Sequence, residues 1–446
     1  MLIAIPVFVL MGAILEKSRI AEDLLDTMGR SFGVLRGGLG ISVVLVGALL
    51  AASTGIVGAT VVAMGMIALP TMLRAGYNPA VASGIVCTAG TLGQIIPPST
   101  LLIILADVMS NAYQQAQYEQ GKFSVGQFFA AALLPGLLLV TLYLVYILIL
   151  GALRPSAMPP AETGPGRPDW REVMAAIAPP VLLIFAVLGA ILFGIATPTE
   201  AASVGAIGAL LMAGRKIGIN SRLILIGAAA LIGLGLLAGA FPVRLQRSDT
   251  GAADWALGGV YAVLALTGLA AVGLALRAAI RDRILHDALN STLTMTAMIF
   301  ATILAAGVFS LVFVGLGGEA RVAHLLDNLP GGPGGALLFV MIFVLGFFLD
   351  FVEISVIVLP LVAPSLIVMG HDPIWLGVLL AINLQTSFLT PPFGFSLFYL
   401  RAVAPGEIST GQIYRGVAPF IGVQAIGLAL IWAMPFLATW LPGVLF

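Results

Sequence analysis

Charge is what this chain has least of. Only 9% of its 446 residues are Asp, Glu, Lys or Arg, against about 25% in ordinary soluble domains. The 20 acidic and 20 basic residues cancel, so there is no electrostatic footprint for nucleic acid. A single cysteine, Cys87, excludes a disulfide within the chain, and its small apolar neighbours argue against reactive thiol chemistry. The three histidines, His286, His324 and His371, fall far apart in predicted loops or loop edges, without metal-ligand spacing. H-E-x-x-H, G-x-S-x-G and a His–carboxylate pair within a span are all missing, which argues against a membrane enzyme.

What is present is apolar: 60% of residues are hydrophobic and the mean hydropathy is +1.12. Many charge-free windows exceed the length that a membrane-spanning helix requires. Spans are predicted at 2–15, 79–108, 128–150, 173–195, 198–214, 222–241, 256–276, 290–314, 374–400 and 416–441. Loops are predicted at 154–172, 214–222, 242–254 and 277–287, from turn residues and charge. The N-terminal "MLIAIPVFVLMGAILEKSRIAEDLLD" lacks a basic n-region and an A-x-A cleavage site. It looks like the end of a membrane helix whose beginning is missing or very short.

Two apolar stretches have the wrong length for a simple span. Gly37 to Thr71 and Gly334 to Met369 are too long for one helix and too short for two full ones with a turn. Two shorter helices meeting at Ser53-Thr54-Gly55, and again at "LDFVEIS", make hairpins that enter and leave on one side; a single long kinked helix is the alternative. Non-helical backbone at that depth requires protein or a water-filled cavity around it.

The two stretches belong to an internal repeat. With a constant offset of 294, Gly37, Gly38, Gly40, Pro70, Gly76, Pro79, Pro97 and Pro98 fall on Gly331, Gly332, Gly334, Pro364, Gly370, Pro373, Pro391 and Pro392. Eight Gly or Pro identities in 62 positions compare with roughly one from composition. A weaker echo pairs "SVGQFFAAALLPG" at 124 with "STGQIYRGVAPFIG" at 409. Seven predicted spans separate the hairpins, and an odd number inverts the second copy. Sixteen of the 20 Lys and Arg residues then fall on the face holding the first hairpin's ends and four on the other, which predicts that the first face is cytoplasmic.

Inverted repeats with broken helices are the architecture of secondary transporters, whose sites form from half-helix ends and unwound carbonyls. Each Pro-Pro break frees carbonyls that can bind a cation, and helix N-termini at the hairpin tips can face an anion. A kink that serves packing alone is the alternative. Around the first break stand Thr88, Thr91, Gly93, Gln94, Pro97, Pro98, Ser99 and Thr100; around the second, Asn383, Gln385, Thr386, Ser387, Thr390, Pro391, Pro392 and Gly394. Asp350 and Glu353 sit at the predicted turn of the second hairpin, where an ionised group is costly unless it is functional or faces a cavity. Hydroxyls, amides and carbonyls are the donors a hard cation such as sodium prefers, and Ser53, Thr91, Asp350, Asn383 and Thr390 head the candidate ligands. Helix–helix hydrogen bonding is the alternative for any one of them. Thr197, Pro198 and Glu200 in "TPTEAA" predict a capped helix start.

At these residues the chain resembles a family. "LRGGLG", "GYNPAVASGIV", "GQIIPPS", "PTEAA", "FSLVFVGLGG", "GFFLDFVEI" and "NLQTSFLTPPFGFSLFYLRAVAP" are similar to the large, DctM-like membrane subunit of TRAP (tripartite ATP-independent periplasmic) transporters, the last two to its mannitol/chloroaromatic subgroup. The resemblance covers nearly the whole chain. It implies sodium-coupled import of a small organic acid across the bacterial inner membrane. The implied partners are a small DctQ-like membrane subunit and a DctP-like periplasmic substrate-binding protein, with no cofactor beyond the coupling ion. It also implies an elevator, in which hairpins and broken helices move against a scaffold. The chain would then divide into a first repeat at 1–150 (hairpin 37–72, broken helix 79–108), a loop at 151–172, central scaffold helices at 173–289 and a second, inverted repeat at 290–446 (hairpin 334–369, broken helix 374–400). Two departures stand out: family members usually carry more membrane sequence before "IPVFVLMGAILE", and 222–276 holds two additional spans. A binding-protein-independent transporter of organic anions or ions would share the fold and the residues.

Overall fold

A computed structural model describes residues 2–33, 35–55, 57–116, 123–160, 168–242, 252–344, 351–391 and 394–446; at 51–54, 253 and 342–344 it describes the backbone. The described residues are helical, without strands. In order, the first part contains α1 (Ala4–Lys17), α2 (Ile20–Phe32), α3 (Gly38–Thr54), α4 (Val57–Arg74), α5 (Pro79–Thr91), α6 (Thr100–Gln115) and α7 (Val125–Leu153). The middle contains α8 (Trp170–Leu192), α9 (Pro198–Lys216), α10 (Ser221–Ala240), α11 (Ala252–Arg281) and α12 (Ile284–Gly315). The last part contains α13 (Gly318–Asp327), α14 (Gly332–Val344), α15 (Phe351–Glu353), α16 (Leu359–Val368), α17 (Pro373–Leu389), α18 (Phe395–Val403), α19 (Thr410–Ala433) and α20 (Phe436–Leu445). Among the described residues, eight helical stretches are long and apolar enough to cross a membrane. The protein is a multi-pass membrane protein.

The repeat is visible in backbone conformation as well as in sequence. Gly37 and Gly331 have φ of 77° and 97°, and Gly76 and Gly370 have 82° and 97°. These are left-handed positions that favour glycine. Pro70 and Pro364 lie inside the equivalent helices α4 and α16. Pro79 and Pro373 open α5 and α17, capped by the side chains of Asn78 and Asp372. The distant echo is a matched pair of capping boxes, Ser124 with Gln127 on α7 and Ser409 with Gln412 on α19.

Packing crosses between the repeats in reciprocal fashion. α4 of the first hairpin lies against α18 beyond the second break, and α16 of the second hairpin lies against α6 beyond the first. α5 packs on α19 and α17 on α7. At the α5–α19 crossing, a Cβ on Gly84 would stand 2.1 Å from the Gly416 carbonyl oxygen, so glycine is required for two backbones to touch there. A continuous apolar core runs through both repeats and takes in α1, α8 and α9. A separate small core, built on Ile224, Ala271 and Ala275, joins α9, α10 and α11.

α2 is the amphipathic element beside the first hairpin. Its apolar face buries Leu24, Leu25 and Met28, and the Ser42 hydroxyl of α3 donates to the Met28 carbonyl at 2.8 Å. Its polar face forms ion pairs with the central helices, Asp23 with Lys216 on α9 and Arg30 with Glu172 on α8.

Several predicted boundaries move. The arms α3 and α4 have 17 and 18 residues, about 26 Å each at 1.5 Å per residue, so they are longer than half-depth hairpin arms need be. The predicted loop at 277–287 is almost wholly helical, with only Asp282 and Arg283 between α11 and α12. It holds charge but no Gly or Pro, and charge alone does not end a helix. His286 accordingly lies within α12, and His324 within α13, rather than in loops. The predicted span at 416–441 is two helices, divided at Met434-Pro435. Thr197 and Glu200 form the predicted cap as a full capping box.

Candidate functional site

The first break develops in steps. α5 ends at Thr91, a 3-10 turn carries Leu92–Gln94, and the chain passes Pro97 and Pro98 before α6 begins at Thr100. Thr91, Gly93, Gln94, Pro98 and Ser99 are buried there. Ser99 stands at the N-cap of α6 without capping it; its hydroxyl donates to the Gln94 carbonyl at 2.8 Å. Ser99 therefore gives the first amides of α6 no side-chain cap. The tip of the first hairpin presses on this helix start. Gly55 has φ 61°, and a Cβ there would lie 2.9 Å from both the Thr100 nitrogen and its Oγ1. The tip backbone at Ser53 and Thr54 thus lies beside the first break, while their side chains lie outside the described residues.

The second break is more abrupt. α17 runs unbroken to Leu389, past the point where α5 stops, and its last residues are buried. Thr390 follows in extended conformation, then Pro391, and α18 starts after Gly394. Pro392 lies outside the described residues, as does Asp350 at the second tip. Glu353 ends the short α15, half-buried, and a π turn over Ile354–Val358 follows it directly. Such turns interrupt the regular helical ladder and frequently mark functional positions. Asn383 ties the break helix to this hairpin, its Nδ2 donating to the Met341 carbonyl of α14 at 2.8 Å.

The two breaks meet. The Gln385 Nε2 donates to Thr91 Oγ1 at 3.3 Å, across 294 positions of sequence. That separation is the repeat offset itself. Equivalent residues can touch only where the pseudo-two-fold axis passes, so Thr91 and Gln385 lie beside that axis.

Many of the hydroxyls are spent on local carbonyls: Thr91 on Thr88, Thr386 on Ile382, Ser387 on Leu384, Thr390 on Thr386 and Ser396 on Phe388. Their protons are committed, while oxygen lone pairs are still available. Others have no partner. Thr88 Oγ1, both polar atoms of Gln94, Thr100 Oγ1, Ser355 Oγ, Asn383 Oδ1 and Gln385 Oε1 are buried without a hydrogen bond. Leaving such a group unsatisfied costs about 1–3 kcal/mol. Six buried oxygens of hydroxyl and amide type, five on the broken helices and Ser355 on the second hairpin, are of the kind a hard cation prefers. Ser355 is the member that sequence reasoning missed; its only sign is its place two residues after Glu353.

Two cavities lie elsewhere among the described residues. One of about 830 Å³ lies between α2 and the ends of the first hairpin, lined by Asp26, Arg30, Thr71 and Arg74 among others. The second, about 480 Å³, lies between α6, α12 and the second hairpin, with Asp107, Asn111, Ser310 and Val356 in its wall. Asp107, half-buried on α6, is a carboxylate inside a predicted span, which is the sign that could have found it. The described residues hold no cluster of His, Cys, Asp and Glu able to bind a metal ion.

Comparison with known proteins fits this architecture. Residues 1–220 and 248–437 match the family described as "Tripartite ATP-independent periplasmic transporter, DctM component". The unmatched stretch between them holds α10, while α11 falls in the matched part. The C4-dicarboxylate TRAP transporter large permease protein DctM of Pseudomonas aeruginosa is 30% identical, over 99% of this chain and 86% of that protein. Its namesake in Vibrio cholerae is 28% identical over 100% and 86%. The Vibrio cholerae sialic acid TRAP transporter large permease protein SiaM is 24% identical over 99% and 86%. The chain belongs to the DctM component family of tripartite ATP-independent periplasmic transporters, and it is a transporter permease rather than an enzyme.

Proposed function

We propose that this DctM component imports a small organic acid across the bacterial inner membrane in symport with sodium, receiving it from a periplasmic binding protein and working with a small membrane subunit. The observation that carries the sodium reading is the set of unpartnered buried oxygens, Thr88, Gln94, Thr100, Asn383 and Gln385 on the broken helices and Ser355 on the second hairpin. A monovalent cation there would take the place of the missing donors, and Asp350 and Glu353 would supply negative charge on the second-hairpin side. The start of α6, not capped by Ser99 and beside the Gly55 tip, supplies amides and the positive end of a helix dipole to a carboxylate.

The reciprocal packing of α4 on α18 and of α16 on α6 makes the hairpins and broken helices one body. That body moves as an elevator against the central helices, with the basic face in the cytoplasm. The relatives named for C4-dicarboxylates, at 28% and 30% identity, place small dicarboxylates first in the substrate panel. The test is uptake in proteoliposomes that contain the chain and its two partner proteins. Uptake should require an inward sodium gradient and a loaded binding protein. Undiminished uptake in sodium-free buffer with a proton gradient alone would overturn the sodium reading; uptake without the binding protein would favour the direct transporter.

A further inference from the structure

We propose that Thr91 and Gln385 link the two helix breaks, so that a cation at one break positions the ligands of the other. The inference rests on the sodium reading above. Three observations carry it. The two residues are repeat equivalents and meet on the pseudo-two-fold axis, with Gln385 Nε2 donating to Thr91 Oγ1 at 3.3 Å. The Thr91 proton is already committed to the Thr88 carbonyl at 2.8 Å. Thr91 can therefore only accept from the amide, which fixes the amide with its nitrogen toward the first break. Finally, Gln385 is fully buried and its Oε1 has no partner.

The amide is planar, so its two ends are coupled. A cation that draws on Oε1 polarises the N–H at the other end and strengthens its bond to Thr91. A held Thr91 hydroxyl keeps its remaining lone pair in one direction. Thr88, whose Oγ1 is unpartnered, stands on the same face of α5 one turn earlier. Filling the second break thus organises the first, and reciprocity of binding free energies requires the reverse. Gln385 acts here as a ligand at the second break and Thr91 as the positioning residue it reaches, and the mark of the link is the steepness of the sodium dependence.

The test measures two things on the chain assembled with its partners: the Hill coefficient of sodium for uptake, and the sodium-induced rise in melting temperature, which also reports folding. The variants are Thr91→Val, Gln385→Met, the double variant and Thr91→Ser. The wild type should show a Hill coefficient clearly above 1 and Thr91→Ser should keep it. Thr91→Val and Gln385→Met should each bring it to about 1 with roughly fivefold or greater loss of apparent sodium affinity, and the double variant should lose no more than either alone. A wild-type coefficient of 1, or single variants that keep the wild-type coefficient and add in the double variant, would overturn the link and leave the sodium reading standing. A wild type indifferent to sodium in both measurements would overturn that reading and this link with it.

Discussion

The two breaks occupy equivalent positions but end their helices differently. At the first, α5 closes through a 3-10 turn and the hairpin tip is pressed onto the start of α6 at Thr100. At the second, α17 continues four residues beyond the point equivalent to Thr91 and then stops abruptly at an extended Thr390. The hairpins differ in charge as well. Asp350 and Glu353 of the second correspond to Ile56 and Ala59 of the first, and only the second has a π turn among the described residues. Backbone geometry is therefore shared at the matched Gly and Pro positions and diverges at the breaks and hairpin tips.

The largest effect should come from breaking the shared framework unequally. A methyl group at Gly84 meets the Gly416 backbone at 2.1 Å, while one at Gly377 meets the edge of the Phe128 ring at 2.4 Å. A ring can shift and a backbone cannot. Gly84→Ala should cost more than about 3 kcal/mol and abolish folding, whereas Gly377→Ala should cost about 1–3 kcal/mol. Thermal melting of the two purified variants decides, and equal losses would mean that the α5–α19 crossing is no tighter than its counterpart.

Next in size is the charge difference. Asp350→Ala should lower sodium-driven uptake by more than about tenfold, since an intramembrane carboxylate is costly to keep without a role, while Ile56→Ala at the equivalent position should change it less than about twofold. If charge is what counts, Asp350→Asn will behave like Ala; if it caps the following helix, Asn will retain most uptake. Unchanged sodium affinity in Asp350→Ala would show that the acidic hairpin is not where sodium binds.

Smaller effects are expected from single unpartnered oxygens. Thr88→Val and Ser355→Ala each remove one buried hydroxyl from opposite repeats, and each should weaken apparent sodium affinity by roughly threefold to tenfold, as befits one ligand among several. A variant with better stability and unchanged sodium affinity would mark its hydroxyl as a packing defect instead.

Gentlest of all is a labelling experiment. Single cysteines at the equivalent residues Ala75 and Met369, in a Cys87→Ser background, should react from opposite membrane faces. Gly76 and Gly370 beside them adopt left-handed backbone and would be strained by any side chain. Labelling of both from one side would end the inverted arrangement.

Much of this was legible because Gly and Pro leave direct marks on backbone. The eight matched residues predicted the repeat, and left-handed φ at Gly37, Gly76, Gly331 and Gly370 shows why those positions kept glycine. Span positions followed from hydropathy. The end of α11 was misplaced because Arg277, Arg281 and Asp282 suggested a loop where a helix simply reaches water. The site was legible as a neighbourhood rather than as contacts. Nothing local distinguishes Thr91 from Thr390: both donate back along their own helices, and Thr91 also accepts across the repeats from Gln385. That difference depends on where the pseudo-two-fold axis passes, and a linear pattern does not specify an axis.

The reciprocal packing also sets a schedule for biogenesis. α4 finds its partner in α18 and α6 finds its partner in α16, so an interval of 321 residues, from Arg74 to Phe395, or of 244, from Gln115 to Leu359, must be made first. At about 5–20 residues per second, synthesis of that interval takes roughly 15–60 s. Throughout it, the first hairpin and first broken helix sit in the bilayer with unpartnered surfaces and polar groups that lipid cannot satisfy. A chain cut short before α18 leaves α4 without the helix it packs on, so it should fail to fold rather than act as a smaller permease.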